Sequence, residues 1–388
     1  MTDFTSVENP NLSETSIVGQ PNSSRIWLSG IEREISLTLN EVLILAELGS
    51  DNYVNTNTFF NQFLDGLDIR TTDPDVNSTQ YRIARLREAS KFGLEEVGPA
   101  DENYTSEIEA EYSFFEGISY LFAGMYFSEL PQEELGVLFS AEENLQTAIV
   151  SFERALALSD KAEYHLAKAR AHYFLGDKVN ARLESNLALN ASSSFTREAM
   201  YDQQNGPVND MESALYARST FDDLQPLPTL DFLDPKYSFL TADQDPSVHY
   251  LKAEEAYLIL AEAAASDNNI PEVQAILANL LNLVNTREIR DIDDTVEGRT
   301  EDDPGSRPNN SEVVVNGRTG LVLDRDSSVL VPSVSGTSVT QSDIDAFYFY
   351  LPLDGKGSVI LKNDINNTID SVGYNIDDGW EYLVNANS

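Results

Sequence analysis

Three histidines, His165, His172 and His249, carry all the imidazole chemistry open to this chain, and it has no cysteine. Thiol nucleophiles, cysteine–zinc sites and disulfides are thereby excluded. His165 and His172 lie seven residues apart, two turns along one helical segment. Paired metal ligands on a helix stand three or four residues apart, so these two read as structural histidines. No GxSxG, Walker or Rossmann signature occurs. With 65 Asp and Glu in the chain, neighbouring carboxylates are everywhere and single out no acid–base pair. The expectation is a protein that is not an enzyme, with no catalytic residue. Asp73, Asp75 and Asn77, and again Asp291, Asp293, Asp294 and Glu297, set oxygens at alternate positions as calcium loops do. Neither stretch completes the loop with its glycine and terminal bidentate glutamate. Both read as solvated acidic loops, and no cofactor or metal is expected.

The residues that do suggest chemistry are aromatic and amide side chains gathered on loops. Sugar rings pack their C–H faces on flat aromatics and exchange hydrogen bonds with amides, carboxylates and guanidinium groups. LGSDNYVNTNTFFNQF offers such a set after a helix end: Asp51, Asn52, Tyr53, Asn55 and Phe59, with Tyr53 the ring expected to be exposed. Phe63 and one of Phe59 and Phe60 are expected in the core. Arg287 and Arg290, with Arg299 and Arg307, flank an acidic stretch, where they either donate to hydroxyls or pair with nearby carboxylates. Trp380 stands in the polar turn NIDDGWEY and is a further candidate ring.

Helices must position these loops. Trp27, Leu28, Ile31, Ile35, Leu39, Val42 and Leu43 make one apolar stripe, predicting a helix from about Ser24 to Gly49. Residues 79–97 resume a helix, with Tyr81, Ile83, Leu86, Ala89 and Phe92 among its apolar positions. Glu107–Phe127 reads as a buried helix, and Ala141–Leu158, Asp160–Leu175 and Val179–Leu189 follow. AEYHLAKARAHYFLGDKVNARLESNLALN has a small–large pattern of the tetratricopeptide kind. Ala162, Leu166, Ala169 and Tyr173 lie on its first helix, Gly176 and Asp177 form the turn, and Ala181 and Ala188 lie on the second. Small residues sit where two antiparallel helices cross closely. His249–Arg287 repeats the arrangement. Short alternating strands at 312–353 predict a small C-terminal β element.

The 388 residues carry 65 acidic against 25 basic side chains, a formal net charge of −40. Such a field repels phosphate backbones, so nucleic acid is excluded as a partner. No apolar run approaches the roughly 20 residues of a membrane-spanning helix. The opening MTDFTSVENPNLSETS has neither basic residues nor an apolar core, so no signal peptide is visible.

In order and spacing, several segments together resemble the SusD/RagB family. They are the opening DFTSVENPNLSETS; AEYSFFEGISYLFAGMYFSELP at 110–131; the tetratricopeptide-like segment at 160–190; and HYLKAEEAYLILAEA followed by LANLLNLVNTR. The chain is short for the family and lacks its lipidated cysteine and its Pro/Asn-rich tail. The resemblance implies a mainly α, SusD-like superhelix of tetratricopeptide-like helix pairs within 107–190 and 249–287. A single domain over 1–388 is expected, with long loops. It also implies capture of a glycan at the cell outer membrane, lipid anchoring of the native protein, and a SusC-like TonB-dependent transporter as partner. A tetratricopeptide adaptor binding a protein or peptide, or a peptide-capturing importer component, is the alternative.

Overall fold

The computed structural model describes residues 17–50, 53–55, 64, 69–70, 72–133, 135–202, 204–212, 224–226 and 246–287, and strands at 321–323, 332–334, 349–350, 356–363, 368–375 and 379–384. Contacts divide the chain into two compact units. The first comprises Met1–Ala46, Arg70–Asn209 and Ser247–Thr286; the second comprises Glu47–Ile69, Asp210–Pro246 and Arg287–Ser388.

The first unit is mainly α. Its helices are α1 (Ser23–Gly49, whose last residues enter the second unit), α2 (Pro74–Phe92), α3 (Ser106–Tyr126), α4 (Ala141–Leu158), α5 (Ala162–Phe174), α6 (Lys178–Ala191), α7 (Ala253–Ser266) and α8 (Ile270–Val284). Local chemistry sets their starts. Asp73 caps α2 with Pro74 behind it, Ser140 and Glu143 form a capping box on α4, and Asp177 and Asn269 cap α6 and α8. The acidic oxygens of 73–77 thus belong to a helix cap and first turn. Asp291, Asp293, Asp294 and Glu297 lie outside the described residues.

The helices pack in chain order: α2 on α3, α3 on α4, α4 on α5, α5 on α6, then α6 on α7 and α7 on α8. At the centre α3 is buried almost all round, including Tyr112, Phe114, Phe115, Ile118 and Leu121. Burying each such side chain contributes about 1.5–3 kcal/mol. Close crossings require small residues. A Cβ on Gly117 of α3 would sit 2.5 Å from a ring carbon of Phe152 on α4. The stripe on α1 is buried at Leu28, Ile31, Ile35, Leu39 and Val42, and Trp27 Nε1 donates to the Ala89 carbonyl at 2.8 Å. Tyr81, expected among the apolar positions of the second helix, is instead 58% exposed, because its neighbours on α2 at Ile83 and Leu86 face the core.

Two small pairings brace the helices. Strand β1 (Glu129–Pro131) pairs antiparallel with β2 (Leu138–Ser140), and β3 (Thr196–Ala199) pairs with β4 (Val248–Lys252), the latter with a bulge at Arg197/Glu198. Among the described residues no helix is long and apolar enough to cross a membrane.

In the second unit Tyr53–Asn55 pairs antiparallel with Leu224–Pro226. A four-stranded antiparallel sheet runs in the order Gly379–Val384, Thr368–Asn375, Lys356–Asn363, Phe349–Tyr350, and Leu321–Leu323 pairs with Pro332–Val334. The C-terminal β element therefore extends to Val384, beyond the 312–353 read from the sequence.

Candidate functional site

Among the described residues of the first unit, two clefts stand out. The first, about 440 Å³, lies where the α5–α6 turn meets α7, and is lined by Tyr173, Phe174, Gly176, Lys178, Ala181, Ile259, Glu262, Ala263 and Ser266. Its geometry follows from the turn. Gly176 takes φ +72°, the left-handed conformation that ends α5, and Asp177 accepts from the Asn180 amide at 3.2 Å to start α6. The last turn of α5 thereby leaves Tyr173 and Phe174 40% and 47% exposed. Their centroids are 5.6 Å apart and the ring planes 83° to one another, two walls of a corner. Tyr173 Oη donates to Glu262 Oε2 at 2.8 Å, and this bond raises the phenol above its ordinary pKa. Lys178 Nζ is held by Asp267 and by Ser266 Oγ, 3.1 Å away, and Arg182 also reaches Asp267 and Glu272.

Tyr173 was expected among the packing residues of the helix pair. The other expected positions are buried (Ala162, Leu166, Ala169, Ala181 and Ala188), but opposite Tyr173 α7 offers Ala263 and Glu262, which leave the ring partly in solvent. Phe174, next to Tyr173 and off the three–four stripe, was the readable signal of an exposed aromatic.

The second cleft, about 460 Å³, is bordered by Ser29, Glu32 and Arg33 of α1, by Arg197, Met200 and Asp202, and by Pro207 and Tyr250. One wall is a buried charge cluster. Arg197 Nη2 donates to Glu111 Oε2 at 2.5 Å and its Nε to Tyr250 Oη at 2.7 Å, while the guanidinium lies 4.3 Å from the Phe114 centroid and 5.0 Å from that of Phe115. Lys161 Nζ and Tyr164 Oη also donate to Glu111 Oε1, at 2.6 and 2.7 Å. Burial by itself would raise the Glu111 carboxyl; the Arg197 charge and these hydrogen bonds outweigh it and hold the pKa at about 2. Burial pushes Tyr250 up to about 12. Glu32 reaches solvent, yet the surrounding protein strips part of its hydration, and that loss together with the nearby Glu111 charge raises its pKa. Asp202 holds its own loop, accepting from the amides of Gln204 and Asn205 at 2.9 and 3.0 Å.

No protein-family model matches the sequence, and no curated protein matches it. Solved structures do match. A SusD-like carbohydrate binding protein from Bacteroides vulgatus aligns over 70% of this chain and 77% of its own, with a TM-score of 0.51 at 14% identity. SusD superfamily proteins from Bacteroides thetaiotaomicron (74% and 83%, TM-score 0.52, 11% identity) and Bacteroides fragilis (76% and 85%, TM-score 0.50, 14% identity) align similarly. The chain has the SusD-like fold.

Within this SusD-like fold, the residues nominated from the sequence are placed only in part. Asp51, Asn52, Phe59 and Arg290 lie outside the described residues. Tyr53 and Asn55 are in the short strand Tyr53–Asn55, opposite Pro226 and Leu224, where a loop was expected. Trp380, expected in a polar turn, is in the strand Gly379–Val384 and opposite Tyr374. Arg287 is half-buried just after α8. Tyr53, Asn55, Arg287 and Trp380 all belong to the second unit, whereas both clefts are lined by the first. Two of the histidines stand beside carboxylates within the SusD-like helix array: His165 Nδ1 meets Glu184 Oε2 at 2.6 Å and Nε2 meets Asp160 Oδ1 at 2.9 Å, and His172 Nδ1 lies 3.2 Å from Asp177.

Proposed function

We propose that this protein is a member of the SusD/RagB family that captures a carbohydrate without cleaving it. The reading rests on the paired, exposed rings of Tyr173 and Phe174, set at a right angle beside the Glu262 carboxylate in a cleft of about 440 Å³. Exposed flat rings next to a fixed hydrogen-bond acceptor suit the two sides of a sugar, its C–H face and its hydroxyls. The SusD-like fold supports the same reading, since a relative in fold is described as carbohydrate binding.

We extend the reading to delivery of the glycan to a SusC-like TonB-dependent transporter at the outer membrane, with a lipid anchor on the native protein. A protein partner is favoured by apolar rows left in solvent: Val179, Leu183 and Leu187 on α6, and Leu277 and Leu281 on α8. Rows at a spacing of four along a helix are what a partner surface covers. The second-unit residues Asp51, Asn52, Tyr53, Asn55, Phe59, Arg287, Arg290 and Trp380 are proposed as a further contact region.

Retention of the purified chain in gels containing soluble polysaccharides tests the capture reading, with Phe174→Ala and Tyr53→Ala alongside. Retention weakened by Phe174→Ala supports the helix-turn cleft; retention weakened by Tyr53→Ala supports the second-unit region. Release of reducing ends during incubation would make the protein an enzyme and overturn the proposal.

A further inference from the structure

The geometry points to a selection rule for the Tyr173–Phe174 cleft: we propose that it takes an uncharged sugar ring with adjacent free hydroxyls and turns away uronate or sulfated sugars. This rests on the capture reading above. The cleft is a corner with one ring as back wall and the other as side wall, their planes 83° apart. Its lining includes Gly176, Ala181 and Ala263, whose small side chains leave the space beside the rings open. Glu262, bonded to the Tyr173 hydroxyl and lining the same cleft, stands within reach of the hydroxyls of a sugar laid on that ring.

Glu262 is placed to read those hydroxyls. Tyr173 fixes one carboxylate oxygen at 2.8 Å, which orients the group without neutralising it. A carboxylate accepts from two neighbouring hydroxyls at once, and such charge-assisted bonds are stronger than neutral ones. An anionic sugar meets the opposite situation. Among the described residues the one cation lining the cleft, Lys178, is engaged by Asp267 and Ser266 Oγ, and Arg182 shares the same Asp267. A sugar carboxylate or sulfate would therefore face Glu262 with no free cation among the described lining residues to balance it, and like charges at close range repel. The specificity-determining residue is Glu262, with Tyr173 positioning it.

The test uses the full chain and named probes: laminarin, dextran and galactomannan as neutral polymers, polygalacturonate and alginate as anionic ones. Affinity electrophoresis and calorimetry are run on the wild type, Glu262→Gln, Tyr173→Phe and Phe174→Ala, with thermal melts confirming the fold of each. The net charge of −40 repels polyanions from wild type and variants nearly alike, so the decisive readout is neutral binding. A neutral polymer is expected to bind, Glu262→Gln to weaken it by about tenfold, the scale of one charge-assisted bond, and Tyr173→Phe to weaken it less. Neutral binding unchanged by Glu262→Gln but lost in Phe174→Ala overturns the selection rule and leaves capture standing. Binding of polygalacturonate or alginate that Phe174→Ala abolishes does the same. If the wild type retains none of the five polymers, the capture reading itself falls, and the rule with it.

Discussion

Arg197 on β3 and Glu111 on α3, 86 residues apart in sequence, meet at 2.5 Å, with the guanidinium lying over the faces of Phe114 and Phe115. Both side chains are largely buried, at 15% and 12% exposure, so each depends on the other for the loss of its hydration.

Removing one partner leaves the other charged and buried. Arg197→Ala is expected to destabilise the fold by about 3–5 kcal/mol. Urea denaturation followed by circular dichroism measures it, and a loss below about 1 kcal/mol would show that Lys161 and Tyr164 satisfy Glu111 without Arg197.

The same carboxylate sets an acid limit. Its folded pKa of about 2 lies below the ordinary 4.5, so its contribution is present above pH 4.5 and is lost as pH falls from there through about 2. The size is on the order of 3 kcal/mol. Glu111→Gln is expected to flatten the acid limb of a plot of denaturation midpoint against pH; an unchanged limb would assign acid unfolding to other carboxylates.

His165 and His172 titrate in opposite senses. Burial disfavours the charged form of His165, but the hydrogen bonds it donates to Glu184 and Asp160 prevail and raise its pKa above 6.5. Its stabilisation is therefore full below pH 6.5 and is lost as pH rises through the folded value. Burial lowers the pKa of His172, so its contribution is present above 6.5 and lost as pH falls through the folded value. Proton NMR titration of the two imidazoles is expected to place His165 above and His172 below the ordinary value, and the reverse order would refute the assignment.

Gly117→Ala tests the α3–α4 crossing. The added methyl would sit 2.5 Å from a Phe152 ring carbon in a fully buried contact, and overpacking of this kind costs about 1–3 kcal/mol. Gly176→Ala meets no neighbouring atom, so its cost of about 1 kcal/mol comes from the positive φ alone. Thermal melts of the two single variants separate steric from backbone strain. Equal stability of Gly117→Ala and wild type would mean that the helices move apart freely there.

The helices were legible in the sequence because what makes them is local. Three–four spacing marked the α1 stripe, and Gly176–Asp177 announced a turn between two helices; each signal spans a few residues of chain. Helices of this kind follow from those local patterns, while the mainly α, SusD-like architecture was implied by the resemblance of several segments, in order, to the SusD/RagB family. The clefts were decided elsewhere. Whether Tyr173 packs or stays in solvent depends on which side chains α7 sets against it, some 90 residues later, and its bond to Glu262 spans 89. Arg197 and Glu111 are two among 90 charged residues until β3 is laid beside α3. Periodicity reports which face of a helix is apolar. Only tertiary packing decides what that face meets, where it leaves a cavity, and which distant charge completes a buried pair.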